Sequence, residues 1–167
     1  MSHVGVIRIT ILGKEHSGKL SLLRCFCRNM VKLTYTDNLY VSNHLHSGFT
    51  VQLCLHLSTP KCITSPSYFY ISRYILFILD MSNIEPTYNE IVNNIANIRT
   101  HCNAGARLIL VQTKSDITDI SEYAKYAQDI LHLCVDNDMH IVQTSSVNKS
   151  GIDTLFLSIL NDYISSS

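Results

Sequence analysis

Val4-Gly5-Val6-Ile7-Arg8-Ile9-Thr10-Ile11-Leu12 runs straight into Gly13-Lys14-Glu15-His16-Ser17-Gly18-Lys19, and then into Leu20-Ser21-Leu22-Leu23. The opening stretch is apolar and β-branched and reads as a buried strand. Leu20 to Arg28 has helical spacing through Leu22, Leu23 and Phe26. Between strand and helix stands the pattern GxxxxGK, in the order that makes a phosphate-binding loop. Gly18 permits the tight turn, and successive N–H groups with the helix N-terminus cradle phosphate oxygens. Lys19 supplies a point charge to the β- and γ-phosphates. The bland alternative, a chance GxxxxGK in a turn, is disfavoured by that strand–loop–helix context.

Working outward, strand and helix signals alternate, which predicts an α/β fold with a mostly parallel sheet. Leu39 to His46 and Phe49 to Leu57 read as strands joined at Ser47-Gly48, a hairpin turn signal. In the second, Val51, Leu53, Leu55 and Leu57 form one apolar face. Segment 58–72 holds Pro60 and Pro66 and is expected to be loop-rich. Tyr74 to Leu79 is the central strand and ends at Asp80. Pro86 suits a first helical turn, after which Tyr88, Ile91, Ile95 and Ile98 recur at helical spacing. Arg107 to Gln112 is a strand, Ile120 to Val135 a helix, and Met139 to Gln143 the last strand. Tyr123, Ala127, Ile130 and Cys134 are the inward positions of the Ile120 to Val135 helix. Ile152, Leu155, Phe156, Ile159 and Leu160 are the core stripe of the final helix.

Composition excludes several classes. The 167 residues are 46% hydrophobic and 16% charged, a globular balance, and suit one domain spanning 1–167. Lys+Arg and Asp+Glu both number 13, so no basic face points to nucleic acid. The six cysteines form no CxxC pair and read as reduced cytosolic thiols. His44 and His46 share one strand face, which raises a zinc site as one reading. The usual four-ligand requirement favours an ordinary strand face. No apolar run reaches the ~20 residues of a membrane helix. The sequence closes on Tyr163-Ile164-Ser165-Ser166-Ser167, without a cysteine for prenylation, so no lipid anchor is expected within this chain and a cytoplasmic location is.

Two further tetrapeptides follow strands. Thr113-Lys114-Ser115-Asp116 resembles the NKxD motif of Ras-superfamily GTPases, with the Thr-for-Asn variant familiar in the Rho family. Thr144-Ser145-Ser146-Val147 resembles that superfamily's TSAK loop. Each is weak alone, and Asp116 could be only a helix cap. With the phosphate loop, in order and each after a strand, they form a strong set. Ser121 to Ala127 and Gly151 to Phe156 read like Rab helices, so the resemblance covers essentially the whole chain. It implies the Ras-like P-loop fold, a six-stranded mostly parallel sheet flanked by five helices, with nucleotide at the strand C-terminal edge. It also implies GDP or GTP as ligand. Asp116 would accept hydrogen bonds from guanine N1 and N2, the stem of Lys114 would cover the base, and a backbone N–H of the Ser145-Ser146-Val147 loop would meet the guanine oxygen. The nucleotide-binding set expected on this resemblance is Gly13, His16, Ser17, Gly18, Lys19, Leu20, Ser21, Thr113, Lys114, Asp116, Ser145, Ser146 and Val147.

The departures cluster where the γ-phosphate and Mg²⁺ are sensed. Leu20 stands where the motif has Ser or Thr, and leucine cannot coordinate a hard cation. Ser21 is turned about 100° away by one helical step. In switch I, Tyr35-Thr36-Asp37 is followed by Asn38, and Thr36 or Thr34 would serve only in another register. Matching the third strand without gaps puts Leu57 at the aspartate of DxxG, Pro60 at its glycine and Lys61 at the glutamine. Glu15 and His16 replace small residues, and an acid there repels GTP more than GDP. Phosphoryl transfer depends on metal and positioning, so no residue is assigned a catalytic or metal-ligating role and hydrolysis is expected to be very slow or absent. Three readings stay open. The chain is a guanine-nucleotide-binding regulator, a pseudo-GTPase serving as an interaction or assembly subunit, or an active GTPase with an unconventional metal site. The first two call for effector or complex-forming protein partners.

Overall fold

The computed structural model describes residues 4–33, 38–58 and 67–166. At its centre is β1 (Val4–Leu12), paired in parallel with β4 (Phe49–Ser58) on one side and β5 (Tyr74–Asp80) on the other. β6 (Arg107–Thr113) and β7 (Met139–Gln143) extend the parallel run beyond β5. On the far side β3 (Leu39–His46) pairs antiparallel with β4, and β2 (Val31–Lys32) pairs antiparallel with β3. The order is β2-β3-β4-β1-β5-β6-β7.

The β3–β4 turn falls at Ser47-Gly48 as expected, with φ of 50° and 79°. Both central residues of a tight hairpin of this hand need positive φ, which glycine adopts without strain. The parallel strands are joined by helices, so their C-terminal ends lie along one edge. That edge carries the phosphate loop after β1, Asp80 after β5, Thr113-Lys114 after β6 and Thr144-Ser145 after β7.

Each sheet face has its own apolar core. On one, α1 (Lys19–Phe26) and α5 (Ile152–Ser165) cover Ile7, Ile9, Ile11, Leu53 and Leu55. The final helix buries all of Ile152, Leu155, Phe156, Ile159 and Leu160. On the other face, α3 (Ile84–His101) and α4 (Ile120–Asp136) cover Phe77, Leu79, Leu108 and Leu110. α3 turns Ile91, Ile95 and Ile98 inward, and α4 turns in Ile130 and Cys134. A short α2 (Ser67–Ile71) anchors Phe69 in this second core.

Three expectations are corrected. Among the described residues the sheet has seven strands instead of six. The added strand is β2, two residues with both side chains exposed, made by backbone pairing with Val41 and Tyr40. Such a strand has no apolar alternation to betray it. α1 also ends at Phe26, short of Arg28. Cys27 turns into the core at 3% exposure and lets the chain leave for β2. Finally, the loop-rich stretch 58–72 contains Ser58 of β4 and the whole of α2. Thr34, Thr36, Pro60 and Lys61 lie outside the described residues.

The histidine pair has structural partners. His44 stacks on Phe26 at 4.7 Å and shares a 2.9 Å hydrogen bond with Ser42, and His46 bonds Asn161 at 2.7 Å. No group of three or more His, Cys, Asp or Glu among the described residues is placed to hold a metal ion. No described helix is long and apolar enough to cross a membrane. Cys25, Cys27, Cys54, Cys102 and Cys134 are free thiols, and Cys62 lies outside the described residues.

Gln112 is an oddity in β6, the second-last strand of the parallel run. It is fully buried, and neither end of its amide meets a protein partner. An unmatched buried amide costs about 1–3 kcal/mol. Gln112→Met keeps the volume and removes the polar atoms, so it should stabilise the fold by about 1–2 kcal/mol in urea denaturation. A less stable Met variant would mean that the amide is satisfied in solution.

Candidate functional site

The phosphate loop is built from its own backbone. Gly18 has a φ of 93° and His16 a φ of 61°, two left-handed residues that coil the chain before α1. Gly13 N–H donates to the Ser58 carbonyl at 3.2 Å, tying the loop to the end of β4. Ser17 is 1% exposed, and its hydroxyl donates inward to the Lys14 carbonyl at 2.8 Å. The Lys19 ammonium donates to the carbonyls of Gly13 and Lys14. An ammonium has three protons, so two loop carbonyls fix its position and leave one donor for an incoming oxygen. Burial lowers the Lys19 pKa from its ordinary value, while the Glu90 and Glu15 carboxylates pull it back up.

The motif after β6 is joined to this loop twice. Thr113 donates through Oγ1 to the Ser17 carbonyl at 2.7 Å. Lys114, at a φ of 57°, sends its ammonium across to the His16 carbonyl at 3.0 Å and to Asp80 Oδ2 at 2.6 Å. Its stem therefore spans from the end of β6 to the phosphate loop. Asp80 is 5% exposed, and its Oδ1 accepts from Ser82 N–H at 3.0 Å and Ser82 Oγ at 2.6 Å.

Asp116 sits in a single 3₁₀ turn, Ser115–Ile117. The cap of α4 is a different residue, Asp119, whose side chain accepts from Ser121 and Glu122 N–H. Asp116 instead accepts from the Ser145 hydroxyl at 2.5 Å through Oδ1. The same Ser145 oxygen receives Val147 N–H at 3.2 Å and Asn148 N–H at 3.4 Å. The two base-side motifs are thus locked together, with Asp116 Oδ2 free of that bond and directed by it. Ser145 is fully buried, whereas Val147 is 81% exposed at the rim.

A cleft of about 360 Å³ opens between these parts, lined by His16, Gly18, Lys19, Leu20, Ser21, Leu57 and Lys114. One wall is cationic. The other holds Leu20, which packs against the core under α1, and Leu57, which is 8% exposed and belongs to that core. The candidate set is therefore brought to one edge, with the base pair of Asp116 and Ser145 further along it. Asp80 and Ser82 were missed by sequence reasoning. A signal existed for Asp80: a carboxylate closing an otherwise apolar strand, one strand away from a lysine at the next loop. Ser82 had none.

Strand-edge loops of this kind, with a phosphate cradle and a carboxylate-bearing base loop, define a P-loop nucleotide-binding protein of the α/β class. A Ras family profile matches residues 62–165. The chain therefore belongs to the Ras family, and membership implies guanine-nucleotide binding. The matched stretch carries both base-side motifs and starts after the phosphate loop. The chain is also similar to the Ras-related protein Rab-4 of Dictyostelium discoideum, at 25% identity over 159 residues, covering 91% of this chain and 76% of that protein.

A nucleotide fits the residues present. Gly18 and His16 shape the cradle, Lys19 has a proton to offer, and Asp116 is preset by Ser145. Mg²⁺ does not fit the described donor set. A hard cation takes oxygen ligands, and Leu20 and Leu57 offer hydrocarbon at the two positions where the family's pattern puts a hydroxyl and a carboxylate. Nucleotide release should therefore be insensitive to chelation. The rate of fluorescent GDP release should change by less than about twofold on adding EDTA, since Leu20 and Leu57 give a bridging cation no oxygen at these two positions. A large acceleration would place a metal ligand elsewhere in the site.

Proposed function

We propose that residues 1–167 act as one small-GTPase-like domain that binds GDP or GTP as a regulatory protein in membrane traffic or signalling, with very slow or absent hydrolysis. The observation that carries the reading is the Ser145–Asp116 hydrogen bond of 2.5 Å. It orients a carboxylate that selects guanine by accepting from N1 and N2, donors adenine lacks in that arrangement. Gly13, His16, Gly18 and Lys19 would hold the phosphates, with Ser17 bracing the loop from within. Thr113 and Lys114 hold the base loop against the phosphate loop. Leu20 and Ser21 start the helix whose N-terminus faces the phosphates. Ser146 and Val147 form the rim nearest the guanine oxygen.

Hydrolysis needs a held metal and a placed water. Leu20 and Leu57 supply neither. A partner protein would bring the molecule to a membrane. The second reading is a pseudo-GTPase that serves as an assembly subunit, and the apolar wall of Leu20 and Leu57 favours it. Denaturing the purified protein and chromatographing what it releases separates the two. Stoichiometric guanine nucleotide supports the first reading. Empty protein that also fails to take up added GDP supports the second.

A further inference from the structure

β7 is the last strand of the sheet, and among the described residues no backbone pairs with its outer edge. The Gln143 carbonyl lies against Gly151, which leaves Met139 to Val142 open. An open edge is a template for another strand, and proteins blunt it by keeping it short or charged. The opposite edge of this sheet follows that rule: β2 has two residues, and one is Lys32. β7 does not. Met139-His140-Ile141-Val142-Gln143 carries no lysine, carboxylate or proline.

The helix above this edge is bare on the same side. α4 buries Ile130 and Cys134, and Tyr126 turns toward α3, its ring 5.7 Å from that of Tyr88. Successive residues on a helix are about 100° apart. Leu131 and Val135 each lie one step beyond the buried stripe, on the side away from α3 and so over the free edge of β7. They are 50% and 70% exposed. Ala124 and Gln128 continue their stripe, and no charge interrupts it. Ile141, paired with Leu110 of the α4-side core, projects on the same face of the sheet and is 39% exposed.

We infer that this face is a homodimer surface, on which β7 of a second copy adds antiparallel about a two-fold axis near Ile141. α4 covers Leu108 of β6 and Met139 of β7, so it lies over the space between the two strands. With strands about 4.8 Å apart, two-fold pairing sets the two α4 helices about 10 Å apart, the ordinary helix-packing distance. One step thus satisfies the open strand edge and covers both apolar stripes. A helix rises about 1.5 Å per residue and a strand about 3.3 Å. Counting back from the Asn137-Asp138 turn puts Leu131 level with Ile141, so each meets its own counterpart at the axis. Charge favours a second copy as the occupant. Lys125 and Asp136 lie on the solvent flank of α4, six residues before and five after Leu131. Antiparallel helices centred on Leu131 place each Lys125 beside Asp136 of the second copy. Within one chain the two are about three helical turns apart and do not meet.

None of these residues lines the nucleotide cleft. Sedimentation equilibrium of the full chain should give a mass that rises with concentration from 18.9 kDa toward twice that value. A mass that stays at one chain up to about 1 mM, where even millimolar association would show, overturns the dimer and leaves the edge to a strand of another protein. Leu131→Glu should weaken association by at least about thirtyfold, as loss of a central apolar contact does. Its unfolding midpoint should stay near the parent's, because the side chain is half exposed in the single chain. Lys125→Glu should weaken association about three- to tenfold, and combining it with Asp136→Lys should restore it to within about twofold. Self-association untouched by Leu131→Glu would put the interface elsewhere and overturn the assignment. A charge exchange that fails to restore association would overturn the antiparallel arrangement.

Discussion

Asp116→Ala should weaken GDP binding by about 3–5 kcal/mol, because it leaves two guanine donors facing a closed loop without an acceptor. The Ser145 hydroxyl would also lose its acceptor, so part of the loss could come from a loosened loop. Asp116→Asn controls for this. Its side-chain oxygen can still receive Ser145, but its NH₂ now points a donor at guanine donors. Affinity should fall by a similar amount while the unfolding midpoint stays near the parent's. ADP should compete poorly against the parent protein. Equal competition by ADP and GDP would remove the guanine assignment altogether.

Asp80→Ala should give the largest loss of stability, about 2–3 kcal/mol in urea denaturation. Asp80 is buried and accepts three donors, from Lys114 and twice from Ser82. Breaking a buried pair from one side leaves the other charge uncompensated, which costs about 3–5 kcal/mol when both partners are buried. Here the Lys114 side chain keeps 34% exposure, so water recovers part of that. Asp80→Asn retains acceptors for Ser82 and should cost less. Asp80→Ala with Lys114→Met should be more stable than the sum of the two single losses predicts, since neither charge is then stranded. GDP affinity should fall in Asp80→Ala as well, because Lys114 loses the anchor that holds it across the cleft to the His16 carbonyl. Additive losses in the double variant would mean that the pair is not coupled.

Much of the parallel framework was legible because buried strands must be apolar and β-branched, and the loops that follow them must be glycine-rich or polar. β1, β5, β6 and the stripe of α5 fall where the pattern puts them. β2 was illegible because backbone pairing alone makes it, with no buried side chain to mark it. α2 was hidden in a proline-flanked segment whose one strong anchor is Phe69. In the site, residues that touch a ligand through a fixed motif could be read, as with Lys19 and Asp116. Residues that act through the fold could not: Ser82 braces Asp80 through its N–H and its hydroxyl.

The central claim is that the γ-phosphate does not reorganise this protein. At the described edges of the two segments where a switch would act, the chain is held by the sheet and the core. Val31 and Lys32 are paired into the sheet, and Leu33 N–H donates to the Leu39 carbonyl at 2.9 Å. Tyr68 stacks on His56 at 3.8 Å, Phe69 is 1% exposed, and Ser72 bonds Thr10 at 2.8 Å. A ligand shifts an equilibrium only through contacts that differ between the two states. Hydrogen exchange of residues 30–39 and 58–72, compared between GDP and a non-hydrolysable GTP analogue, tests this most directly. The account predicts the same protection in both segments with either nucleotide. Strong protection specific to the GTP analogue in either segment would contradict it.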